Sequence, residues 1–128
     1  MFYIWHHNSV FQANQANYSA AMTFILVFNT CPDLETARKI AEKLVNQKMA
    51  ACVNIVPTIF SVYEWQGKIE QEQEHLLFIK THKARYAELE ALIREIHPYE
   101  LPEIIAVPIS NGLPGYLDWV NKNTGGME

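Results

Sequence analysis

Residues 51–81, reading ACVNIVPTIFSVYEWQGKIEQEQEHLLFIKT, restrict the fold of this chain more than any other stretch. Val, Ile, Phe, Tyr and Trp fill its first half, and Leu76, Leu77, Phe78 and Ile79 close the second, a composition suited to pleated strands. Trp65-Gln66-Gly67-Lys68 supplies the reversal, because Gly67 accepts the positive φ of a tight turn. The pattern is a β-hairpin whose arms are more than twice the roughly five or six residues of an ordinary strand. At about 3.3 Å per residue each arm reaches ~50 Å, whereas a helix of about fifteen residues spans only ~22 Å. Helices of a chain this size cannot shield the outer half of such a hairpin. That half carries Phe60, Tyr63 and Trp65, and Pro57 interrupts its first arm, as proline does on an edge strand or at a bulge. A long aromatic edge strand invites pairing with another chain. Pro57, Phe60, Tyr63 and Trp65 are therefore the expected assembly residues.

Length sets one domain as the prior, and 128 residues of which 49% are apolar can bury a single good core. A net charge of −4, with no basic run and no basic-aromatic interleaving, argues against a nucleic-acid partner. No apolar run approaches the eighteen or so residues of a membrane span, so no membrane association is expected. Cys31 and Cys52 lie in separate elements without metal-type spacing, which reads as reduced thiols in a cytoplasmic protein.

Taken in order, residues 1–21 contain no Asp, Glu, Lys or Arg and lack the basic and continuous apolar regions of a secretory signal. They are read as a disordered or weakly docked extension in which His6 and His7 are solvated, with Met22 as the candidate start of translation. The domain is placed at 22–122, followed by a flexible tail at 123–128. Met22 to Asn29 reads as a strand apolar on both faces. Asp33 caps a helix with an apolar stripe from Leu34 to Val45 that ends near Lys48. After the hairpin, Lys83 to Ile96 forms a second helix that stops before Pro98. Glu103 to Ser110 is a fourth strand, again apolar on both faces, and a last helix holds Tyr116, Leu117, Trp119 and Val120.

This is an α+β chain of β-α-β-β-α-β order, the ferredoxin-like split arrangement, with an antiparallel sheet and a further C-terminal helix. Right-handed crossovers put both helices on one face and leave strands two and four at the edges. Strands one and four nevertheless have a second apolar face, and no segment is left to form another layer. Burying five or six such side chains at about 1.5–3 kcal/mol each makes on the order of 10 kcal/mol available for association. A cyclic homo-oligomer follows.

The densest polar cluster is His97-Pro98-Tyr99-Glu100-Leu101-Pro102-Glu103, a proline-stiffened loop whose N and O donors suit copper, zinc or a similar cation. Its other reading is a rigid helix-to-strand connection whose polar groups bond neighbouring chains. Cys31, just before a helix, stands where the dipole favours a thiolate. Cys52 reads as core, His82 as surface, and Glu70, Glu72 and Glu74 with His75 as a solvent-facing row. The inventory for catalysis is poor: no nucleophile elbow, P-loop, HExxH or dinucleotide pattern occurs, and only Glu100 and Glu103 offer acid-base groups. The chain is read as not an enzyme.

ACVNIVP, SVYEWQGKIEQEQE, LLFIKT, HPYELPEI and YLDW, in this order and spacing, resemble the CutA divalent-cation tolerance family from Phe24 to Asn121. The resemblance implies a homotrimer with interlocking hairpins, similar in architecture to PII signalling proteins. It also implies a link to copper and divalent-metal tolerance, with no obligatory cofactor. The metal ligands it implies are a cysteine before the first helix, with Cys31 as the nearest candidate, and His97 and Glu103 of the loop. Asn29 holds the position after Leu26-Val27-Phe28 and Cys31 comes two residues later, a departure that weighs against a soft Cu(I)-type site. The alternative function is a PII-like scaffold trimer whose clefts take a small molecule or a protein partner.

Overall fold

The structure is a computed structural model that describes residues 23–126. The expectations for residues 1–21 and Met22 lie outside the described residues. β1 (Phe24–Cys31) is followed by α1 (Leu34–Asn46), β2 (Cys52–Trp65) and β3 (Lys68–His82). A 3₁₀ turn (Lys83–Arg85) then leads into α2 (Tyr86–Ile96), β4 (Ile104–Pro108) and α3 (Pro114–Lys122). The sheet order is β2-β3-β1-β4, antiparallel throughout, which puts β2 and β4 at the edges as expected.

Local chemistry explains the element ends. The Asp33 carboxylate accepts the Thr36 N–H at 2.8 Å, and these bonds to Thr36 hold its pKa below the usual range. α1 stops at Asn46, short of Lys48, because Lys48 takes φ 60° and the amides of Met49 and Ala50 turn back onto the Leu44 carbonyl. β1 runs two residues further than its apolar pattern, so Cys31 ends the strand and is not in the loop before α1.

The hairpin turn has Gln66 at φ 52° and Gly67 at φ 81°, the paired positive angles of a two-residue reversal. Its arms are 14 and 15 residues long. The ladder shifts between Val56 and Ile59, where Thr58 sits at φ 59° beside Pro57, so the proline marks a bulge on an edge strand. β1 pairs with β3 only from His75 onward. Among the described strands, residues 68–74 of β3 pair with β2 alone, a two-stranded ribbon that projects roughly 23 Å at about 3.3 Å per residue.

One face of the sheet packs Ile25, Val27, Cys31, Leu77 and Ile79 against Ala37, Ile40, Leu44, Leu89 and Ile93 of the two helices. The opposite face carries Phe28 and Phe78, ring centroids 5.4 Å apart, with Leu26, Ile105 and Val107 in register beside them. α3 corrects the expectation that no segment covers this face: Leu117 and Val120 bury Phe24 and Ala51 at one end of it. Of the stretch 123–128 expected to be flexible, residues 127–128 lie outside the described residues, while Thr124 is held in place. Thr124 is fully buried, its hydroxyl donates to the Val120 carbonyl at 2.8 Å, and its own carbonyl accepts from Arg85 Nε at 3.0 Å.

Candidate functional site

The loop 97–103 is stitched across the end of the sheet. His97 follows α2, and its amide closes the helix on the Ile93 carbonyl at 2.8 Å. Its ring Nε2 lies 2.8 Å from the Thr30 carbonyl, and the Tyr99 amide reaches Nδ1 at 3.1 Å. A carbonyl only accepts and an amide N–H only donates, so Nε2 carries the hydrogen and Nδ1 offers its lone pair inward. The Tyr99 ring leans on His97 at 4.8 Å, and its hydroxyl donates to Glu74 Oε2 at 2.8 Å. Burial and that carboxylate raise the Tyr99 phenol above its ordinary pKa. Asn29 Nδ2 donates to the Glu103 carbonyl at 2.9 Å, fixing the far end of the loop to β1.

This geometry separates the four expected ligands. Both ring nitrogens of His97 are engaged with backbone, while the side chains of Glu100 and Glu103 are exposed. Cys31 faces the helix layer, fully buried, with its thiol directed at Asn29 Oδ1 at 3.5 Å. Burial, helped by the carboxylates of Asp33 and Glu74, pushes that thiol up to about 12, opposite to the thiolate expected from a helix N-terminus. Among the described residues, no three or more His, Cys, Asp or Glu side chains are placed to hold a metal ion. The four residues do not fit a closed copper or zinc site within one chain.

Two surface readings are corrected. Glu74 is buried beneath Tyr99, although Glu72 in the same row is exposed and accepts from the Tyr63 hydroxyl at 2.8 Å. That bond is the main reason the Tyr63 phenol is raised to about 12. His82 is likewise buried, not at the surface. Sequence gave no signal for either, since each depends on a partner brought in by the fold.

The other notable surface is the projecting ribbon. Phe60, Val62 and Ile69 lie on its helix side and are 71%, 63% and 69% exposed. Tyr63 and Trp65 lie on the opposite side, also exposed. The Pro57 bulge lets both sets alternate correctly about it.

Such a molecule belongs to the class of small ferredoxin-like α+β proteins in which an overlong hairpin extends past the four-stranded sheet. Residues 25–123 match the family described as CutA1 divalent ion tolerance protein, and the chain belongs to that family. The divalent-cation tolerance protein CutA of Thermus thermophilus is 47% identical over 100 residues, covering 78% of this chain and 97% of that protein. The mouse protein CutA is 46% identical over 97 residues, and the match spans 76% of this chain but only 55% of the mouse protein. The crystal structure of CutA1 from Oryza sativa superposes with a TM-score of 0.80 at 39% identity, covering 85% of this chain and all of that one (100%).

Proposed function

We propose that the chain acts in divalent-cation tolerance as a homotrimer joined through its hairpins, with weak binding of copper or another divalent cation and no obligatory cofactor. The observation that carries this reading is the ribbon of residues 59–74, with large apolar side chains wet on both of its faces. Among the described residues of a single copy they stay exposed, and burial of each is worth about 1.5–3 kcal/mol. Names of relatives such as the Thermus thermophilus protein support the tolerance role. Cation contact then falls to the exposed carboxylates of Glu100 and Glu103, while His97 holds the loop that carries them, and Cys31 contributes only as a buried thiol. The role is one of binding, not catalysis. Cytoplasmic residence is supported by Cys31 and Cys52, free thiols whose register places them on opposite faces of the sheet, where they cannot pair.

A second reading, a PII-like scaffold trimer that takes a small molecule or protein partner, is favoured by the engaged nitrogens of His97. One experiment separates the two: sedimentation equilibrium of metal-free protein, followed by calorimetry with Cu²⁺ on wild type, Glu100→Gln/Glu103→Gln and His97→Ala. A metal-free trimer whose Cu²⁺ binding weakens in the double carboxylate variant supports the first reading. Unchanged binding in that variant removes the loop from the cation site and favours the scaffold. A compact monomer at micromolar concentration overturns both.

A further inference from the structure

We propose that His82 is a proton-operated latch that holds the C-terminal helix α3 against the sheet at neutral pH and releases it in acid. His82 is 8% exposed at the end of β3, where its ring meets the buried Phe24 ring edge-on at 5.5 Å. Phe24 is in turn the residue on which Leu117 and Val120 of α3 pack. The ring has a defined protonation state. The Ala84 amide donates to Nδ1 at 3.0 Å, capping the 3₁₀ turn, so the hydrogen resides on Nε2. Nε2 is buried and has no acceptor among the described residues.

A second proton must therefore go onto Nδ1, where it displaces the Ala84 N–H and uncaps the turn. It also creates a cation that no carboxylate among the described residues offsets. The charged neighbours make this worse. Arg85, on the same turn, is cationic, and its partner Glu88 on α2 bonds the guanidinium, not the imidazole. From β1 the ring meets Phe24, and on α3 Asp118 pairs with Lys122 at 3.1 Å. Lys80, two residues back on the same face, is bound to Asn54 of β2, and Cys52 of β2 bonds Tyr116 of α3. Burial first, and Arg85 second, hold the His82 pKa below its ordinary value.

The same turn aims the clasp. Arg85 Nε donates to the Thr124 carbonyl at 3.0 Å, which pins the chain just beyond α3. Uncapping the turn frees Arg85, and the helix loses both its tether and the Phe24–His82 platform. When α3 lifts, His82 becomes hydrated and its pKa returns to about 6.5. The docked state is thus fully favoured above that value. Below it, the lifted state alone takes up the proton, so lifting rises by about tenfold per pH unit until the docked pKa is reached.

Hydrogen exchange of the full-length protein from pH 7.5 to 5.0, corrected for intrinsic rates, tests this. Protection of residues 114–124 is expected to fall by about tenfold per pH unit below ~6.5 while β1 and β3 keep theirs. His82→Asn, whose carbonyl oxygen can still cap Ala84, is expected to remove the pH dependence. Arg85→Gln is expected to expose residues 114–124 already at pH 7.5. Pre-exposure in Arg85→Gln supports the clasp even if His82→Asn does not fold. Constant protection of α3 in the wild type across this range overturns the latch, and so does an unaltered transition in a folded His82→Asn.

Discussion

Tyr99 earns its place through a single hydroxyl. Glu74 is buried, and the phenol is the donor found on its Oε2 at 2.8 Å. A carboxylate taken out of water needs such donors, and removing one leaves it short by the cost of an unmet hydrogen bond. Tyr99→Phe keeps the ring against His97 and deletes only that donor. The expected outcome is a loss of about 1–3 kcal/mol in urea unfolding with an unchanged m-value. Tyr63→Phe removes an equivalent bond to Glu72 in an exposed setting, and its loss in the single chain is expected to be much smaller. Neither pairing was legible beforehand. Tyr99 and Glu74 lie 25 positions apart, and the Thr30 carbonyl that occupies His97 lies 67 away. Composition marked the loop as polar and rigid, but whether an imidazole nitrogen is free depends on what the fold brings against it.

At the level of elements much more could be read. Local chemistry governs the Gly67 turn, the Asp33 cap, the stop before Pro98 and the alternation of the hairpin arms, so these emerged from residue order alone. The position of α3 did not, because an amphipathic nine-residue helix states which face is apolar but not which surface receives it. The bulge is intermediate: Pro57 marks its place, while its effect on direction is geometric. Between Val56 and Ile59 two residues of β2 oppose one of β3, His75, which bends the edge strand just where the ribbon leaves the sheet. Deleting Thr58 restores one-to-one pairing without changing the partners on either side, and it removes a β-branched residue from φ 59°. The single-chain fold should survive, with near-native far-UV circular dichroism. The ribbon should leave the sheet at a different angle, so sedimentation should show a smaller species than wild type. An unchanged assembly would mean that the bend does not aim the tip.

For the whole molecule, the decisive quantity is the apolar surface that the described residues of one copy leave exposed. Phe60 and Val62 add almost nothing to the stability of an isolated chain, because more than half of each side chain is already in water there, at 71% and 63% exposure. Replacing both with Glu should therefore leave the core of Ile25, Val27, Leu77 and Ile79 intact. In an assembly the same change removes two buried side chains per copy, about 3–6 kcal/mol of transfer free energy, and adds like charges to the interface. Unfolding coupled to dissociation makes the midpoint depend on concentration, whereas unfolding of a monomer does not. Wild-type protein is thus expected to melt at a higher temperature as its concentration is raised. Phe60→Glu/Val62→Glu is expected to melt at one lower temperature throughout, with monomer mass in the ultracentrifuge. If both proteins melt at a single concentration-independent temperature, the ribbon is covered in some other way and self-association is not its purpose. If only the variant aggregates, the core itself depends on the tip, and the separation between a self-sufficient sheet and a shared hairpin fails.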